Sequence, residues 1–195
     1  MPVFFSDDDR RKYLDFLSEQ EKRFGVQYIA WCLITNHIHL IAVPESVSSL
    51  AKGIGEAHKQ YSRMISFREG WRGYLFQGRF FSCSLEDSYA VAAIRCVLRT
   101  PVRVCLCQKP WKYEWSSAQW LVGLRDIDPL ACSSSLLEEI DDWKTLLDME
   151  SPEAQSVPQH TRTARPLCTD SFLEHLEAIT GRTFRPRKAV RKPKE

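Results

Sequence analysis

No run of apolar residues in this chain comes near the roughly 20 needed to cross a bilayer; the longest, Val26 to Leu33 and His39 to Val43, are core-strand lengths. That excludes an integral helical membrane protein. The N-terminus lacks the basic and then apolar stretch of a secretory signal, carrying Asp7-Asp8-Asp9 instead. A cytoplasmic location is the expectation. No two of the seven cysteines, at positions 32, 83, 96, 105, 107, 132 and 168, stand in a Cys-x-x-Cys spacing. Zinc knuckles and dithiol redox motifs are thereby excluded, and an odd number in a chain with an ordinary core points to free thiols.

A large net charge is also missing, since Lys and Arg number 27 against 25 Asp and Glu. The balance is local, however. Residues 50–125 hold 12 basic and 5 acidic side chains, residues 126–160 hold 1 and 9, and residues 182–195 hold 7 and 1. A basic centre and a basic end separated by an acidic stretch suggest a polyanionic partner. At 195 residues and 44% hydrophobic content the chain can build one main core.

Asp7 to Arg23 has the spacing of a helix, with an acidic first turn, the stripe Tyr13, Leu14, Phe16 and Leu17, and Gly25 as its stop. Val26 to Ile34 and His37 to Val43, split by Thr35-Asn36, predict a hairpin. A helix capped by Ser46 or Ser48 runs to about Phe67. A glycine-punctuated loop over 70–80 leads to a short strand at Phe81 to Leu85, and a third helix opens at Glu86 or Asp87 and stops by Arg99 because of Pro101. Ser116-Ser117-Ala118 suggests a short capped helix. Beyond Asp126 the pattern predicts one amphipathic helix over Ser134 to Met149, a Pro/Ser/Gln-rich linker, a helix from Asp170 to Thr180, and a disordered tail from Arg182. The expected organisation is a main domain over 1–125, an acidic helical linker over 126–160, and a short helix with basic tail over 161–195.

His37-Ile38-His39 sits on the second hairpin strand, where residues two apart share a face and both imidazoles can reach one metal ion. By itself the pattern also suits core or surface histidines. Its flanks are more specific. Trp31 through Ile41 closely resembles the strand pair of single-tyrosine HUH transposases, of the insertion-sequence-200-like and REP-associated type. Tyr74-Leu75-Phe76-Gln77-Gly78-Arg79-Phe80 follows in family order, then Thr100-Pro101-Val102-Arg103 where relatives have Asn-Pro-Val-Arg. Next come Tyr113-Glu114-Trp115-Ser116-Ser117-Ala118 where they have Tyr-Pro-Trp-Ser-Ser-Ala, and Ala164-Arg165-Pro166-Leu167 where they have Gly-Arg-Pro-Leu.

The resemblance implies an α+β, ferredoxin-like antiparallel sheet with helices on one face and a helical C-terminal extension. It implies single-stranded or hairpin DNA as partner, acting as monomer or homodimer, with Mg²⁺ or Mn²⁺ held by His37, His39 and a third polar side chain. In the family the metal polarises a scissile phosphate and a tyrosine attacks it. The tyrosine position is Cys96 here, and the third-ligand position is Thr100, a weak neutral donor. Tyr89, two helical turns before Cys96, lies about 10 Å away and is no substitute; Tyr61 and Tyr74 stand at structural or DNA-contacting positions. Relatives also carry an extra strand ahead of the residues matching Phe4-Phe5, which leaves open a start upstream of Met1 or a truncated gene.

Two functional readings follow. In one, the histidine pair and a metal-bound water hydrolyse DNA without a covalent adduct. In the other, the site is dead and the chain is a DNA- or hairpin-binding module or a remnant. Arg72, Tyr74, Gln77, Arg79, Phe80 and Arg103 are the candidate strand-binding residues, because guanidinium groups pair with phosphates and rings stack on unpaired bases; this reading is favoured over a structural glycine loop packed by aromatics. Arg185, Arg187 and Lys188 of the tail would add nonspecific phosphate contacts. Trp111, Tyr113 and Trp115 suggest an aromatic packed turn.

Overall fold

The computed structural model describes residues 2–149 and 152–185. Helix α1, Asp7–Phe24, begins where Ser6 Oγ accepts from the Asp9 amide while the Asp9 carboxylate accepts from the Ser6 amide, a reciprocal capping box. Gly25, at φ 63°, closes it in the left-handed region and turns the chain into strand β1, Val26–Ile34. Thr35 and Asn36 form the turn to β2, His37–Pro44, which pairs antiparallel with β1.

The ladder slips between Tyr28 and Ala30, a bulge that reverses the alternation of β1. Val26 and Tyr28 before it, and Trp31 and Leu33 after it, therefore point to one face, while Ile29, Ala30, Cys32 and Ile34 join the core on the other. Every β1 residue but Gln27 is buried. A strand apolar on both sides needs cover on both sides. Helices α1 and α2 (Ser49–Glu69) supply it on the Trp31 face, and α3 (Asp87–Leu98) on the Cys32 face. The expectation of helices on one face is thus corrected: two helical layers sandwich the hairpin.

The outer edge of β1 is covered as well. The Leu33 amide donates to the Trp115 carbonyl (2.9 Å), the Trp31 amide to Ser117 Oγ (3.1 Å), the Ser117 amide to the Trp31 carbonyl (3.1 Å), and the Cys132 amide to the Tyr28 carbonyl (3.0 Å). The segment at Trp115 to Ala118 is an edge seal first and a helix start second; α5 spans only Ala118–Leu121. Asp128 Oδ1 accepts from Trp31 Nε1 and from the Leu130 and Ala131 amides, which pins the start of the acidic stretch to β1.

Three expectations fail. Phe81 to Leu85 is not a strand; only Leu85 makes an isolated bridge, to Leu167, since no strand lies beside it to form a ladder. Ser134 to Met149 is not one helix but two, α6 at Ser135–Glu138 and α7 at Trp143–Asp148, because the Asp142 side chain caps the second by accepting from the Thr145 amide. The Pro/Ser/Gln-rich linker is helix α8, Pro152–Thr163, whose Val157 packs on Ala93 and Cys96 of α3. Between α3 and α5 the chain makes the short helix α4, Thr100–Arg103; α9, Asp170–Thr180, falls at its expected bounds. The structure is α+β with a two-stranded antiparallel sheet. All seven cysteines are free thiols. Among the described residues no helix is long and apolar enough to cross a membrane.

Candidate functional site

Strand period two places His37, His39 and Ile41 on the α3 face of β2, with Ile38, Leu40 and Ala42 turned toward the α1 and α2 core. The two imidazoles meet edge to face, ring centres 4.8 Å apart. Asn36 Oδ1 lies 2.7 Å from His37 Nδ1 and accepts from it when that nitrogen carries the proton. Burial and then the positive charge of Arg103 hold the His37 pKa below the ordinary histidine range. His39 is pushed down to about 4, by burial first and by His37 and Arg103 after it. Both rings are neutral near pH 7.

Across from them lie the last turn of α3 and the start of α4. Cys96, 3% exposed, packs against Ala93, Val157 and Leu167. Thr100 Oγ1 donates to the Cys96 carbonyl (3.1 Å) and accepts from Arg103 Nη2 (2.9 Å), while Arg103 Nη1 donates to Cys96 Sγ (3.1 Å). His39, Cys96, Thr100 and Phe80 all line one cavity of about 340 Å³. The fold therefore brings together the histidine pair and the residues at 96, 100 and 103, which are remote in sequence.

This donor set does not fit a metal centre. Two neutral imidazoles are available, but the Thr100 hydroxyl is engaged as donor and as acceptor, and a guanidinium stands beside the rings. Among the described residues no group of three or more His, Cys, Asp or Glu side chains is placed to hold an ion. The arrangement offers a cation, Arg103, and two uncharged rings.

Of the remaining candidates, Arg72, Gln77 and Arg79 are exposed, and Tyr74 is 95% exposed. Neither arginine makes an ion pair among the described residues. Phe80 turns inward to line the cavity, its ring edge-on to His58 at 6.5 Å. Arg185 pairs with Glu174 (2.8 Å) at the end of α9, whereas Arg187 and Lys188 lie outside the described residues. Tyr89 is half-buried beside the Cys96 cluster. Tyr61 is fully buried and donates to the Val3 carbonyl (2.8 Å), a structural role.

Sequence reasoning missed His58. It stands on α2, its Nε2 2.9 Å from the Tyr13 hydroxyl and its ring stacked on Phe76 at 4.0 Å, so it fastens the glycine-punctuated loop to the core. The lone signal was its spacing, one residue past Ala57 on the apolar side of the helix.

No curated protein and no solved structure matches the chain. Over residues 2–96, just under half of its length, the chain matches the model of the family described as "Transposase IS200 like", which supports that family, and with it a transposition-related DNA-binding function, for the part holding the histidine strand, the aromatic loop and Cys96.

Proposed function

We propose that this chain binds single-stranded or hairpin DNA, that it descends from a single-tyrosine HUH transposase of the REP-associated kind, and that it has lost strand cleavage. A ferredoxin-like ancestry for the sheet belongs to the same reading. The observation that carries it is Cys96, buried and bonded by Arg103; the resemblance in sequence is what sets it at the family's tyrosine position. A thiol is shorter than a phenol by a ring, and no other tyrosine stands in its place.

Binding needs none of the lost groups. Arg72 and Arg79, which make no ion pair among the described residues, offer exposed guanidinium groups to phosphates, Tyr74 offers an open ring to a base, and Arg103 sets positive charge beside the histidines. In relatives cleavage calls for a divalent metal; in this reading retention of DNA does not.

The test is a gel-shift and denaturing-gel assay on labelled hairpin-bearing single-stranded DNA, with Mn²⁺ or with chelator. Retention in both conditions, with no covalent adduct, is expected. An adduct would show that a nucleophile survives. Mn²⁺-dependent nicking without an adduct would favour hydrolysis by a metal-bound water at the histidine pair, and absence of retention would sink the DNA-binding reading itself.

A further inference from the structure

The start of α1 and the end of α2 are tied together by Arg68, whose guanidinium donates to both carboxylate oxygens of Asp9 and to Glu69. At this junction Phe4 enters the core, while its neighbour Phe5 meets Trp71 edge to face, ring centres 5.4 Å apart. The backbone of Trp71 is fixed just past the Gly70 cap, where its amide donates to the Ser66 carbonyl (3.0 Å). The Arg68 guanidinium carbon stands 5.9 Å from the centre of the Phe5 ring. Neither ring belongs to the core, and Phe5 stays 40% and Trp71 41% exposed.

The pair is thus held in place without being buried, which leaves a preset aromatic surface in water. Its charged surroundings favour one kind of partner. The carboxylates at the junction are engaged, Asp9 and Glu69 by Arg68, Asp7 by Arg10 and Asp8 by Arg11. Arg72, next to Trp71 in the chain, is exposed and makes no ion pair among the described residues. An apolar protein surface laid on these rings would strip water from the Arg72 guanidinium and give it no counter-charge. A strand that carries both flat apolar rings and a phosphate at every step satisfies the two features together.

We propose that Trp71, backed by Phe5, is a stacking platform for an unpaired base, that Arg72 meets the adjoining phosphate, and that this surface makes the chain prefer single strand to duplex. In a duplex the faces of a base are covered by its neighbours, so a ring can stack only on a base that is splayed out. Tyr74 stands three residues further on, at most about 11 Å along the chain, and continues the platform for the same strand. This assignment rests on the DNA-binding reading and narrows it to the unpaired flank of a hairpin.

The test measures fluorescence anisotropy at one fixed salt concentration, with the full chain and a labelled DNA hairpin that carries a single-stranded flank. Trp71→Leu keeps apolar bulk against Phe5 but has no ring to stack; it should bind the flanked hairpin at least about fivefold more weakly, and Trp71→Phe should recover most of that loss. The preference for single strand over duplex should fall by the same factor. A flank of abasic sites keeps the phosphates and removes the bases; the parent chain should bind it more weakly than the intact flank, and Trp71→Leu should distinguish the two less. Parent-like affinity in Trp71→Leu, or a loss of equal size on intact and abasic flanks, would overturn the stacking site while leaving DNA binding in place. A parent chain that retains no oligonucleotide would remove the DNA reading and this site with it.

Discussion

Two side chains show how differently single residues act here. Asp9 is 1% exposed and carries three duties: it accepts from the Phe5 and Ser6 amides and from both terminal nitrogens of Arg68. Burial raises its pKa, but the Arg68 hydrogen bond and charge and the two amides outweigh it, and the carboxyl sits below its ordinary value. Asp9→Asn removes the charge while keeping the shape, so Arg68 loses its ion pair with Asp9, keeping that with Glu69, and the cap is weakened; we expect a loss of about 2–4 kcal/mol, read from urea unfolding midpoints. Tyr74 is the opposite case. At 95% exposure its ring contributes nothing to the core. Tyr74→Ala should leave the unfolding midpoint unchanged and weaken single-stranded DNA binding by about 1–3 kcal/mol, the range for one stacked base. Unchanged affinity would remove Tyr74 from the interface.

At the scale of elements, turns that need left-handed backbone are the sensitive joints. Gly25 (φ 63°) and Gly70 (φ 66°) both end helices in that region, so alanine at either costs about 1–2 kcal/mol. They differ in surroundings: a Cβ on Gly25 would fall 2.1 Å from Glu45 Oε2 and 3.0 Å from Glu45 Cβ, whereas at Gly70 there is nothing within 4 Å. Gly25→Ala should therefore destabilise more than Gly70→Ala, and equal midpoint shifts would show that Glu45 swings clear at no cost. The same elements show what was legible beforehand. Helix α1, the hairpin and α9 carry their own start and stop signals, and their bounds follow from local chemistry. The pairing of His37 with His39 followed from strand period, and their meeting with residues 96 and 100 followed from family order. What could not be seen was set by distant partners: the strand at 81–85 fails for want of a neighbour, Trp115 to Ser117 seal an edge 80-odd residues away, and α8 forms in a polar, proline-bearing stretch because Val157 finds the Cys96 cluster.

The whole molecule is held across its elements by a few buried polar links, and His58 ties together α1, α2 and the aromatic loop. From α2 it reaches Tyr13 on α1 and stacks on Phe76 of the aromatic loop that presents Tyr74 and Arg79. Burial pushes its pKa down to about 4 from the ordinary histidine value of 6.5. The folded state thus favours the neutral ring, and between those two values the unfolded chain binds a proton that the folded chain does not. Stability contributed by this residue is complete above pH 6.5 and declines as the pH falls toward 4. We expect the thermal midpoint to drop over that window and the drop to shrink in His58→Phe, which keeps a ring against Phe76 and has no proton to gain. The loop should loosen with it. In the parent chain, DNA affinity at pH 5 should fall by more than a salt-matched control at pH 7 explains, and in His58→Phe that excess should vanish; an excess that persists in the variant would assign the acid sensitivity to other groups and detach His58 from the loop.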